Sequence, residues 1–290
     1  MEWLRIHRGD APLIVAFPHG GTDLAGLDDQ FVSPWRAQFD TDWWIADLYA
    51  FARDLGATTI ATAISRSVID MNRDPSGASL YPGQATTELC PTTTFDGDPL
   101  YRFGAADETE VVRRLGLYHR PYHDAIAAEI ERLKAQHRKV ILYDAHSIRS
   151  HVPRLFDGEL PQFNIGTNGG TTCAPELETV VASICAASGH SHVANGRFKG
   201  GWTTRHYGHP DAGVHAIQME LAQRGYMIEP ALFDPGNWPS PLDSDPAILP
   251  TLQQVIAATL DFAKGYPCPA STTTASSRHR PATGSTPGAG

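Results

Sequence analysis

Two histidines in this chain follow short apolar runs. Leu13 to Phe17 leads into Pro18-His19-Gly20-Gly21, and Val140 to Tyr143 leads into Asp144-Ala145-His146. Buried strands of a parallel sheet read as nearly unbroken hydrophobic runs, and ligands collect beyond their carboxyl ends. One strand-end histidine is more often a hydrogen-bonded structural group than a ligand. Two of them with carboxylates nearby point to a shared metal ion, since a catalytic zinc takes three His or carboxylate ligands and keeps one position for water. Carboxylates are offered by Asp40 and Asp42, where Asp40 or Thr41 could equally cap a helix, and by Asp144. Asp144 stands two residues before His146, so in an extended chain both side chains point the same way. It suits either a ligand or the acceptor that fixes an imidazole tautomer.

A water activated by a metal needs a base, and Glu220 is the candidate. If residues 214–221 are extended, Ala216, Gln218 and Glu220 share one face, which carries a carboxylate into an otherwise apolar element. Burial would raise its pKa toward a value useful for proton shuttling. On a surface helix the same residue would merely face solvent. Arg66 and Arg73 flank an apolar stretch containing Asp70 and Asn72, and Arg149 and Arg205 lie near expected loops. Arginine grips carboxylates with paired hydrogen bonds and stabilises an oxyanion, so these residues suit a small acidic substrate. No phosphate-loop or dinucleotide fingerprint is present, and no serine nucleophile is indicated.

The elements that must position these groups alternate between strand and helix. Strands are expected at 13–17, 59–64 and 140–143, and helices at 42–55, at 108–137 with an interruption at Pro121, and at 176–187; residues 214–221 fit either state. This order favours a mixed or parallel sheet flanked by helices, with the polar stretch 74–104 covering the crevice. Residues 1–268 read as one domain. Residues 269–290, rich in Ser, Thr, Pro, Gly and Ala, have little to bury and read as a disordered tail. The formal charge of −9 argues against nucleic acid or an anionic membrane as partner. No stretch approaches the roughly 18 apolar residues of a membrane helix, and no signal peptide opens the chain, so a cytoplasmic protein is expected. The cysteines, Cys90, Cys173, Cys185 and Cys268, form no C-x-x-C pair, which argues against a structural zinc knuckle or a disulfide framework. Cys173 and Cys185 read as small buried hydrophobes.

A set of blocks in fixed order then carries a resemblance. Pro18-His19-Gly20, Asp40-Thr41-Asp42-Trp43, Ser65-Arg66 with Ile69-Asp70-Met71-Asn72-Arg73, the stretch 95–100, Arg120 to Asp124, Asp144 to Arg149, the stretch 153–158, Gly196 to Gly201, Arg205 to Gly208 and Gln218 to Leu221 resemble the N-formylglutamate amidohydrolase family. The likeness runs from about residue 11 to about residue 262. It implies a three-layer α/β fold with a mixed, mostly parallel sheet, related to zinc carboxypeptidases and aspartoacylases. It also implies metal-dependent hydrolysis of N-formyl-L-glutamate to L-glutamate and formate, the closing step of one route of histidine degradation. By that comparison His19 and His146 look like zinc ligands, Glu220 like the general base, Arg66 like the oxyanion stabiliser and Asn72-Arg73 like a carboxylate clamp, with Arg149 or Arg205 for the second carboxylate. The relatives place an acidic ligand three residues after the first histidine, where this chain has Thr22. Asp42 is the preferred substitute, ahead of Asp23. Such a site also accepts manganese, iron or cobalt. The competing functions are hydrolysis of another N-acyl acidic amino acid or short peptide, and non-catalytic sensing of an acidic metabolite.

Overall fold

The computed structural model describes residues 2–80 and 83–265. The expected tail and Cys268 lie outside the described residues. Seven strands form one sheet: β1 (Leu4–His7), β2 (Leu13–Phe17), β3 (Thr58–Thr62), β4 (Val140–Ile148), β5 (Phe163–Gly166), β6 (His192–Ala194) and β7 (Val214–Ala222). Their order is β1-β3-β2-β4-β7-β5-β6. The middle four, β3, β2, β4 and β7, run parallel, whereas β1 and β5 each join antiparallel. Every residue of β2, β4 and β7 is buried, as expected of central strands covered on both faces. Ladder pairing with β4 and β5 decides the state of 214–221: the segment is strand, not helix.

Side chains alternate across the sheet into two separate cores. Ile141, Tyr143, Ile217 and Met219 pack with α5 (Pro175–Ala187) and α7 (Leu249–Lys264) through residues such as Leu177, Val181, Leu252 and Ile256. Ile14, Leu142 and Ala216 pack on the opposite face against Tyr122, Ile126 and Leu133 of α4 (Arg120–Lys134). Helices thus flank both faces, giving three layers. Cys173 and Cys185 fill the first core and Cys90 the second, all as free thiols. No helix among the described residues is long and apolar enough to cross a membrane.

Two expected helices differ in detail. The span 42–55 is not one helix but a short α-turn, Ile45–Leu48, followed by a 3-10 turn at Ala50–Arg53. Trp44 adopts a left-handed φ of 58°, which no helix tolerates, and Asp42 is held outside the helix by bonds to distant residues. The span 108–137 is α3 (Glu108–Arg114) and α4, joined by a π-helical turn at Leu115–His119 rather than a break. Pro121 follows within the first turn of α4, where its missing N–H is tolerated.

Candidate active site

The site forms where one face of the sheet changes character. Along β4 the residues facing α4 run Val140, Leu142, Asp144, His146, and along β7 they run Val214, Ala216, Gln218, Glu220. The strands are in register, so Asp144 lies beside Gln218 and His146 beside Glu220. His146 therefore sits within a strand, not beyond its end. On the other side of β4, β2 delivers His19 two residues past Phe17. Pairing of β2 with β3 continues through bridges at Gly21–Ser65 and Asp23–Ile64, which bring Arg66 alongside. A Cβ at Gly21 would stand 2.4 Å from the Ala63 carbonyl carbon, so only glycine permits that approach.

His19, Asp42 and His146 converge, all buried, with one ligand atom of each within 4.8 Å of the others. Asp42 Oδ2 lies 3.1 Å from His146 Nδ1 and 3.7 Å from His19 Nδ1. The rear nitrogens face carboxylates: His19 Nε2 is 2.6 Å from Asp70 Oδ1, and His146 Nε2 is 3.1 Å from Asp144 Oδ1. Asp42 is itself held by the Ser147 N–H at 3.1 Å and by Arg66 at 3.3 Å. Three His and carboxylate donors, converging through both Nδ1 atoms and backed by carboxylates on both Nε2 atoms, fit a divalent cation. Tetrahedral bonds of about 2.0–2.2 Å put ligand atoms roughly 3.3–3.6 Å apart, close to the two spacings measured from Asp42.

Electrostatics follow from burial and from these neighbours. Burial opposes ionisation of Asp42, but the bond to His146 and the charges of His19, His146 and Arg66 hold its carboxyl below the usual range. Asp70 is held lower still, because His19, Arg73 and Arg66 outweigh its burial. The two imidazoles move oppositely: burial and then Arg66 push His19 down, whereas Asp144 and Asp42 overcome burial and raise His146 well above 6.5. Glu220 is pushed up to about 8, first by burial and then by Asp42 and Asp144. Its neighbour Gln218 accepts the Gly201 N–H at 2.7 Å, which turns its amide nitrogen toward Glu220 Oε2 at 3.3 Å.

These groups open into a pocket of about 600 Å³, lined by His19, Arg66, Asn72, Arg73, His146, Arg197, Gln218 and Glu220 with Phe95, Ile148, Leu155 and Phe198 as apolar walls. Gly201, Ala85, Thr86 and Thr87 complete it, so part of the stretch 74–104 does border the crevice. Two expected substrate contacts lie elsewhere. Arg149 bonds Asp40 at 3.1 Å and Asp96 at 2.7 Å beneath the Phe39 ring, outside this pocket. Arg205 bonds the carbonyls of Gly200 and Leu80 and does not line it either. Asn72 does, but its amide is committed within the protein: Nδ2 donates to Oδ2 of Asp144, the carboxylate behind His146, at 3.2 Å, and Oδ1 accepts the Thr203 N–H. Among the alternative acidic ligands, Asp23 is exposed and caps the Ala25 N–H, and Asp40 accepts the Phe95 N–H; Asp42 is the one that joins the histidines. Asp70, Arg197 and Gln218 went unassigned in the sequence reading. Only Gln218 had a local signal, its place on the same strand face as Glu220.

The sequence matches the N-formylglutamate amidohydrolase family over residues 11–227. The chain belongs to that family. As a member it is a hydrolase of amide bonds. An N-formylglutamate deformylase of Pseudomonas aeruginosa is 53% identical over 235 residues, spanning 80% of this chain and 88% of the relative. One from Pseudomonas putida is 50% identical over 229 residues, spanning 78% and 85%. The crystal structure of an N-formylglutamate amidohydrolase from Ralstonia eutropha JMP134 superposes with a TM-score of 0.72 at 22% identity, over 91% of this amidohydrolase and 98% of that chain. The Atu2144 protein of Agrobacterium tumefaciens gives 0.65 at 16% identity, over 90% and 96%. These two likenesses show the shared fold.

Proposed function

We propose that this amidohydrolase hydrolyses N-formyl-L-glutamate to L-glutamate and formate, using a divalent cation at His19, Asp42 and His146. The observation that carries the proposal is a buried, proton-binding Glu220 beside that convergent triad, in a pocket that also presents Arg66, Arg73 and Arg197. The names of the two Pseudomonas relatives support the substrate. A bound cation would lower the pKa of a water to around neutrality and polarise the formyl carbonyl. Zinc suits the donors, and manganese, iron or cobalt could replace it.

The side chains supply the remaining steps. Glu220 takes a proton from the attacking water and returns it to the leaving amine, a shuttle that its raised pKa favours. Arg66, fixed by Asp42 and Asp70, stabilises the developing oxyanion without losing its own proton. Arg73, held on the carbonyl and hydroxyl of Thr87, grips one substrate carboxylate. Arg197, anchored on the carbonyls of Leu155 and Ala85, takes the second carboxylate in place of Arg149 or Arg205. Asn72 acts indirectly, by holding Asp144 behind His146. The reading extends to a soluble cytoplasmic enzyme at the end of histidine degradation, with an aspartoacylase-like site.

The test is formate release from N-formyl-L-glutamate, with N-acetyl-L-glutamate beside it, before and after chelation. Release that disappears on chelation and returns with zinc is expected. No formate from metal-loaded protein would reject the substrate, and release undiminished by chelation would reject the cation.

A further inference from the structure

The segment 68–73 carries Asp70, Asn72 and Arg73 yet belongs to neither helix nor strand. Its conformation therefore depends on bonds from outside it. Three of its carbonyls are caught by side chains of one helical span. Arg114 donates to Val68 O at 2.9 Å, His123 Nε2 to Met71 O at 2.8 Å and His119 Nε2 to Arg73 O at 3.1 Å. The last two carbonyls bracket Asn72. A carbonyl only accepts, so both imidazoles carry their proton on Nε2.

The π turn makes this reach possible. In an unbroken α-helix, residues 114 and 119 would lie about 140° apart around the axis. The Arg120 N–H instead closes on Leu115 O, five residues back, and the wider turn swings His119 toward the stripe that already holds Arg114. His123 follows one α-turn later, its ring 4.4 Å from that of His119. Trp202 packs against both rings, and its backbone N–H reaches Asn72 O at 3.4 Å. Both histidines are buried.

We propose that His119 and His123 are positioning residues for the substrate clamp, fixing Arg73 and Asn72 through the carbonyls on either side of Asn72, with the π turn setting their phase. The inference rests on the reading that Arg73 grips a substrate carboxylate. Neither histidine lines the pocket, so any effect must pass through the segment they hold.

Steady-state kinetics of metal-loaded wild type, His119→Leu, His119→Gln, Arg73→Gln and the double variant Arg73→Gln with His119→Leu test it. His119→Leu is expected to raise KM for N-formyl-L-glutamate roughly tenfold, with kcat and bound metal nearly unchanged. His119→Gln, whose amide N–H can serve the same carbonyl, should stay close to wild type. In the Arg73→Gln background the Leu substitution should add nothing, because the two residues act as a unit. Additive losses, equal losses for Gln and Leu, or an unchanged KM in His119→Leu would overturn the inference. If His119→Leu does not fold, His119→Asn, polar but shorter, gives the same contrast with Gln. An unchanged KM in Arg73→Gln would instead reject the carboxylate grip, and the inference with it.

Discussion

At the scale of single residues the site is a trade between stability and chemistry, and Glu220 shows it most clearly. Its carboxyl titrates near 8 in the fold against an ordinary value of 4.5, so the folded chain holds that proton more tightly than the unfolded chain does. The stability this adds is complete below pH 4.5 and is lost as pH rises through 8. Glu220→Gln keeps the shape and removes the charge. It should cut turnover roughly 10²–10⁴-fold while metal stays bound. In the metal-free protein it should also raise Tm relative to wild type at pH 8.5 more than at pH 5, as thermal melts at both pH values would show. Retained turnover would remove Glu220 from the base role, and a pH-independent Tm difference would contradict its raised pKa. If Glu220 is the base, wild-type kcat/KM should fall on the acid side with a limb between 4.5 and about 8, since a base works only when deprotonated and a bound cation would pull its pKa down. The candidate residues His19, His146 and Glu220 were legible in the sequence because a polar residue joined to an apolar run is a local signal. Asp70 was not, because its partner His19 lies fifty-one residues away.

At the scale of elements, the site depends on how closely α6 (Trp202–Tyr207) approaches the segment around Asn72. Gly201, the residue before that helix, has an ordinary φ of −80°, so alanine there meets no backbone strain. A Cβ, however, would stand 2.3 Å from Asn72 Nδ2, the atom that holds Asp144 behind His146. Gly201→Ala should therefore lower kcat/KM about tenfold to hundredfold while the far-UV circular dichroism stays native. Wild-type activity in that variant would show that Asn72 can shift without disturbing His146. Strand identities were readable because β2 and the first four residues of β4, Val140 to Tyr143, are covered on both faces and apolar throughout. The left-handed Trp44 and the π turn at Leu115–His119 were not readable, since tertiary bonds to Asp42 and to segment 68–73 override the local helical pattern.

At the scale of the whole molecule, metal binding should be coupled to stability, because the three candidate ligands come from residues 19, 42 and 146 and converge only in the folded chain. Zinc at a hundred times its dissociation constant adds about 2.7 kcal/mol, which for a domain of this size shifts Tm by roughly 5–10 °C. Calorimetry with and without zinc should show that shift in wild type and not in His19→Ala; an equal shift in both would place the ion elsewhere. The sequence alone determined the alternating strand and helix order, the family, and the identities of the two histidines and the acidic residue on β7, because each is written in local hydrophobic pattern or in contiguous blocks. Only the tertiary structure decided which carboxylate joins the histidines, that Arg197 lines the pocket while Arg149 is locked onto Asp40 and Asp96, and that Asn72 holds Asp144. Those choices are made by sheet register and loop packing between residues far apart in the chain, and periodicity along the chain carries no record of them.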